Sequence, residues 1–335
     1  MRVAILILTV ICGLSRLAAV GHAETKLRAG IVGCDTSHAI AFTKLINAAD
    51  ATGPAAQVEV VACFPGGSPD IPSSVDRVGP FTEQLRGLGI EIVASIPELL
   101  EKCDVILLES VDGRTHLNQF RQLATGKPVF IDKPAAASLA DVIAIFRLAE
   151  ETNTPCFSSS ALRYCKQVTK LADDPALGKA TGCAVASPFE TEPHHMDLAW
   201  YGVHGVESIY AIMKPGCEAV SRVDGQNATL VTGRWRDGRV ATWRGLRGGH
   251  VYAFTAFGER GVAFDQGFSG YEPLVDEICK FFISGKPPVT AAETIEMFAF
   301  MAAADESNAR HGALASLSDV IEQAERDLAA PTVKP

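Results

Sequence analysis

The first half of the chain alternates short, mostly apolar runs with stretches in which apolar residues recur every three or four positions. Residues 27–32, 58–63 and 105–108 are runs of the kind that form strands buried on both faces, and 128–131 and 155–158 continue the series. Between them Ala39, Phe42, Ile46 and Ala49 fall at helical spacing, and Pro97-Glu98-Leu99-Leu100 opens a helical turn. Helices are predicted over 115–124 and 138–152 as well. Such alternation predicts a parallel sheet covered on both faces, a Rossmann-type α/β domain. Its ligands bind at the carboxyl ends of the strands, so the turns after Val32, Cys63, Leu108 and Ile131 should line one crevice.

Beyond about Ser160 the pattern shifts to longer alternating segments: 180–187, 219–223, 229–235, 239–246 and 250–257. Together with turns such as Arg236-Asp237-Gly238-Arg239, they predict a mostly antiparallel sheet. Two closing helices, over 273–284 and 291–311, make this half an α+β domain. The opening is different again. Met1-Arg2, an apolar run over 3–12 and small residues up to Gly21-His22-Ala23 read as a secretory signal peptide, too short to span a membrane and cleaved after Ala23. The division expected is therefore a signal peptide over 1–23, a Rossmann-type domain over 24–158 and an α+β domain over 159–335. Export to the periplasm or beyond, with no membrane attachment after cleavage, follows from it.

Charge narrows the partners. The formal net charge is −9, and loss of Arg2 and Arg16 with the signal takes it to −9 − 2 = −11, which argues against a nucleic-acid partner. Eight cysteines follow the signal, at 34, 63, 103, 156, 165, 183, 217 and 279, without CxxC spacing and in apolar settings. They read as buried free thiols in preference to a disulfide framework.

Several segments, in order, resemble the Gfo/Idh/MocA family of glucose–fructose oxidoreductase and inositol dehydrogenase. They are Ala29-Gly30-Ile31-Val32-Gly33-Cys34, then His116 with Ala124-Thr125-Gly126-Lys127-Pro128-Val129, and Ile131-Asp132-Lys133-Pro134, close to the family's Glu-Lys-Pro. Tyr201-Gly202-Val203-His204-Gly205-Val206-Glu207, Tyr271-Glu272-Pro273-Leu274 and Ser284-Gly285-Lys286-Pro287-Pro288 complete the set. The resemblance implies an oxidoreductase that uses NAD or NADP on a hydroxyl or carbonyl carbon of a sugar or sugar derivative. It implies Lys133 beside the nicotinamide, His204 as acid or base, and a homo-oligomer paired through the outer face of the second sheet. The chemistry needs a group to take the hydroxyl proton and a cation to steady the alkoxide.

The chain departs from that pattern in three places. The fingerprint's first glycine is Gly33, but its second and third positions hold Asp35 and His38. A carboxylate about 4 Å from a phosphate costs ~1 kcal/mol in water and ~4 kcal/mol near a protein surface. Asp35, Thr36 and Ser37 are also N-cap residues, which compete for the N–H groups that hold phosphate. After the second strand, Phe64-Pro65-Gly66-Gly67-Ser68 has neither the acid that selects NAD nor an arginine for NADP. Trp200 stands where an aspartate is common, with Glu207 or Asp197 as substitutes. Glu109, Asp112, Arg114 and His116, at the edge of the crevice, are expected to contact cofactor or substrate, or else to form a solvated loop. Arg163 and Tyr164 face the crevice or the surface. His194, His195 and Asp197, with Glu190 or Glu192, have ligand chemistry but poor spacing for one ion, so no metal site is expected.

Two readings remain open: an exported NAD(P)-dependent oxidoreductase, and a protein of the same fold without a dinucleotide, in which Asp35, His38, Lys133 and His204 converge as acid–base or carbohydrate-binding groups.

Overall fold

The computed structural model describes residues 25–330, so the expected signal peptide lies outside the described residues. The first half runs β1 (Leu27–Val32), α1 (Ser37–Ile46), β2 (Val58–Phe64), α2 (Pro72–Gly87), β3 (Glu91–Ile92), α3 (Ile96–Lys102), β4 (Val105–Leu108), α4 (Gly113–Leu123), β5 (Val129–Ile131), α5 (Leu139–Glu151) and β6 (Cys156–Ser158). Its six strands form a parallel sheet in the order β3-β2-β1-β4-β5-β6. Order reverses at β1, and the turns after β1, β2, β4 and β5 meet at the carboxyl edge, where such sheets bind ligands. All four residues of β4 are buried, which is why this strand reads as an unbroken apolar run.

The second half runs α6 (Ala161–Tyr164), α7 (Lys166–Ala172), β7 (Ala180–Pro188), α8 (Asp197–Trp200), α9 (Val203–Met213), β8 (Cys217–Asp224), β9 (Ala228–Trp235), β10 (Val240–Leu246), β11 (Ala253–Gly258), β12 (Gly261–Gln266), α10 (Glu272–Ser284), α11 (Ala291–Ala309), β13 (Ala315–Ser316) and α12 (Leu317–Ala329). The seven-stranded sheet has the order β12-β11-β7-β10-β9-β8-β13, antiparallel except for β7 beside β10. Helices α9 and α11 pack on its inner face.

Three helices, not two, close the chain, and two others escape the periodicity. Helix α2 buries only Ser74 and Leu85 and carries Gly79 and Pro80 inside it, so it shows no apolar stripe. Helix α9 is buried at every residue, so it shows no polar one. All eight cysteines among the described residues are buried free thiols. No helix among the described residues is long and apolar enough to cross a membrane.

Candidate active site in the crevice

A cavity of about 340 Å³ opens between the carboxyl edge of the parallel sheet and the second half of the chain. The first turn of α1 supplies Thr36, Ser37 and His38, and the turn after β5 supplies Lys133. His204 from α9 faces them, with Tyr201, Tyr252 and Tyr271 around it. Thr36 caps α1, its hydroxyl accepting the His38 N–H at 3.4 Å. Phenols beside cations and imidazoles suit a ligand rich in hydroxyl groups, and the volume lies at the lower end of the roughly 300–1,000 Å³ of small-molecule sites.

His204 is buried, with Nδ1 2.7 Å from the Ser160 hydroxyl and its ring edge-on to Tyr201. Burial, then the charges of Lys133 and His38, hold its pKa well below the ordinary histidine value, so the imidazole is neutral and free to accept a proton. His38 stacks on Phe42 and meets Tyr271 edge-on, and its Nδ1 lies 2.7 Å from Asp132 Oδ2. Burial raises the Asp132 pKa, but the neighbouring His38 and Lys133 charges outweigh it and hold the carboxyl below its usual range.

Other expected site residues have different duties. Asp35 is fully buried and turned away from the first turn of α1: Oδ1 accepts the Val111 N–H at 2.9 Å and Oδ2 the Ser74 hydroxyl at 2.5 Å. Both carboxylate oxygens are thus spent inside the protein. Asp112 accepts the Ser68 hydroxyl at 2.6 Å and caps α4, while Arg114 clasps Asp70 at 2.7 and 2.8 Å. Gly33 has φ +85°, and a Cβ there would stand 2.3 Å from Ser110 Oγ. His116 is a buried strut, with its ring nitrogens 3.0 and 2.8 Å from the Ala135 and Ser110 carbonyls. Glu207 is buried against Arg163 and accepts the Ser160 N–H at 3.1 Å, so it steadies the Ser160–His204 contact from outside the cavity lining. Tyr164 is half-buried beside Arg163, whose second partner is Glu293.

The turns after β1, β2 and β4 are therefore tied to one another. In a sheet of this topology a dinucleotide crosses these turns, from the ribose acid after the second strand to the first turn of the helix after β1. Here Ser68–Asp112, Asp70–Arg114 and Asp35–Val111 bridge that course with the chain's own groups. The residues present do not fit a dinucleotide laid along it.

The histidine pair is also engaged. Glu192 accepts from Nδ1 of both His194 and His195 at 2.7 Å, and His195 Nε2 accepts the Gly113 N–H at 3.0 Å. Asp197 pairs with Arg222. The sequence reading did not single out the grouping of Glu109 and Asp132 with His38, nor the three tyrosines. Asp132 stood in plain view beside Lys133, but its contact with His38 spans 94 residues.

Fold and crevice together define a two-domain α/β protein with the fold of the Gfo/Idh/MocA-type dehydrogenases. GenD2 from gentamicin A biosynthesis, solved in complex with NAD, superposes with a TM-score of 0.70 at 16% identity, over 88% of this chain and 97% of that one. Apo scyllo-inositol dehydrogenase from Lactobacillus casei gives 0.70 at 12%, over 88% and 99%. Myo-inositol dehydrogenase from Lactobacillus casei, with NAD(H) and myo-inositol, gives 0.68 at 15%, over 87% and 97%. No family model and no curated protein matches the sequence.

Proposed function

We propose that the protein binds a polyhydroxylated, carbohydrate-like compound in the crevice and acts on it by acid–base chemistry, without a dinucleotide. His204, neutral and aimed at the cavity, takes a proton from a hydroxyl or from a carbon beside a carbonyl. Lys133 steadies the oxyanion that results. The tyrosines orient the ligand through its hydroxyls. The observation that carries this reading is the tie between the turns after β1, β2 and β4, which fills the dinucleotide's course and leaves the acid–base groups in the open part of the crevice. Export, proposed from residues 1–23 and checked by cell fractionation, suits it, since no nucleotide has to be acquired after translocation.

The second reading is an NAD(P)-dependent oxidoreductase acting on a hydroxyl or carbonyl carbon of a sugar derivative. Its support is the fold shared with NAD-bound proteins and the pairing of Lys133 with His204 across one cavity. One measurement separates the two. Purified protein is denatured and the supernatant analysed by ultraviolet absorbance and mass spectrometry, and the folded protein is titrated with NAD and NADP. No released nucleotide and no saturable binding is expected. Stoichiometric NAD(P) would return the crevice to redox chemistry.

A further inference from the structure

We infer that His38, Glu109 and Asp132 form a site for one divalent cation at the floor of the crevice, Zn²⁺ or Mn²⁺ by its donor set. Glu109 and Asp132 directly follow the neighbouring strands β4 and β5, His38 lies in the first turn of α1 after β1, and one ligand atom from each lies within 4.8 Å of the other two. Glu109 has no solvent exposure, and among the described residues neither of its carboxylate oxygens has a hydrogen-bonding partner. Asp132 Oδ1 is equally buried and equally without one. Two carboxylates closed off from water are expensive unless something neutralises them. Asp132 Oδ2 has His38 Nδ1 at 2.7 Å, but Glu109 has no such partner, and Lys133, whose side chain lines the cavity, forms no salt bridge with either carboxylate among the described residues.

A divalent ion supplies the charge that Glu109 lacks and fills the unused lone pairs of Glu109 and of Asp132 Oδ1. One imidazole with two carboxylates is a mixed nitrogen and oxygen set that suits Zn²⁺ or Mn²⁺ better than Mg²⁺, which prefers oxygen alone. The ring of His38 is already fixed by Phe42 and Tyr271, as ligating histidines are by their surroundings. All three residues also lie at or next to the turns that a dinucleotide normally crosses, so the third fingerprint glycine has become an imidazole aimed at an acidic cluster. The competing state is a metal-free cluster in which Glu109 keeps a proton, because burial and then the Asp132 charge push its carboxyl up.

The test uses the full chain, purified without a polyhistidine tag. Elemental analysis of the untreated protein is followed by calorimetric titration of chelator-treated protein with Zn²⁺ and with Mn²⁺. One ion per chain is expected, with affinity lowered about 100-fold or more in both Glu109→Gln and Asp132→Asn. The thermal midpoint should rise with the ion in the wild type and stay put in the variants. His194→Gln controls for the exposed histidine and should bind as the wild type does. The inference is overturned by binding at no defined stoichiometry, by variants that bind like the wild type, or by binding that vanishes with His194 instead. Its failure is independent of the proposed function, which the nucleotide assay reads separately.

Discussion

The chemistry of the crevice turns on single protonation states, and His204 is the one whose state can be followed through stability. Burial and the neighbouring positive charges lower its pKa in the folded protein, while in the unfolded chain it returns to about 6.5. As pH falls, the unfolded chain therefore takes up the proton first. The stability tied to the neutral ring is complete above about pH 6.5 and is lost as pH drops below it, at up to roughly 1.4 kcal/mol per pH unit. His204→Gln has no such proton to gain. The difference in unfolding free energy between wild type and variant should be constant above pH 7 and move against the wild type from pH 6.5 to 5. Denaturant melts at pH 5 and 7.5 measure it, and a difference that does not change with pH contradicts a buried neutral imidazole. Glu207 is engaged by Arg163 and the Ser160 N–H, although burial outweighs them and pushes its carboxyl up.

At the scale of elements, the clamp on the β1 turn is the feature on which the proposed absence of a nucleotide rests. Asp35→Ala leaves the Val111 N–H and the Ser74 hydroxyl without their charged acceptor, at a cost of about 2–4 kcal/mol. Asp35→Gly restores the fingerprint in sequence but not in space, since Ser68–Asp112 and Asp70–Arg114 still bridge the groove. It should lose similar stability and gain no affinity for NAD or NADP; tight binding in that variant would show that Asp35 alone kept the nucleotide out.

The same turn shows what the sequence makes legible. Strands β1, β2 and β4 announce themselves because burial on both faces leaves mostly apolar residues, broken only by the exposed Arg28 and Glu59 near the starts of β1 and β2. Helices α1 and α5 do so because one face is buried and the other is not. Helix α2 hides because it is almost all exposed, α9 because it is almost all interior. His38, Lys133 and His204 can be picked from motifs. That Asp35 points inward, and that Glu109 and Asp132 close on His38, depends on how three strand ends stand side by side, and no spacing along the chain encodes it.

At the scale of the molecule, the seven-stranded sheet has one face under α9 and α11 and another that carries no helix. Along β9 the buried residues are Thr229, Val231, Gly233 and Trp235, so Leu230, Thr232 and Arg234 point the other way. The strand register sets Thr232, Thr242, Ala184, Thr255 and Phe264 in one row across that outer face. Arg234, Val240, Gly182, Phe257 and Val262 form the next. Phe264 is 76% exposed and Val262 65%, with Val240 and Phe257 also exposed and Arg234 and Arg244 as the charged residues of the same face. A sheet face with Val240, Phe257, Val262 and Phe264 exposed in adjacent rows is of the kind that pairs with its own copy about a twofold axis. The protein should therefore be a homodimer through this face, with a light-scattering mass of twice the chain at micromolar concentration. Thr242→Arg puts two like charges near the axis at the centre of the sheet and should yield a monomer. The crevice opens on the other side of the helices, so the monomeric variant should keep the cation affinity of the wild type. A wild-type chain that sediments as a monomer, or a variant that remains a dimer, removes the outer face from consideration as the joint.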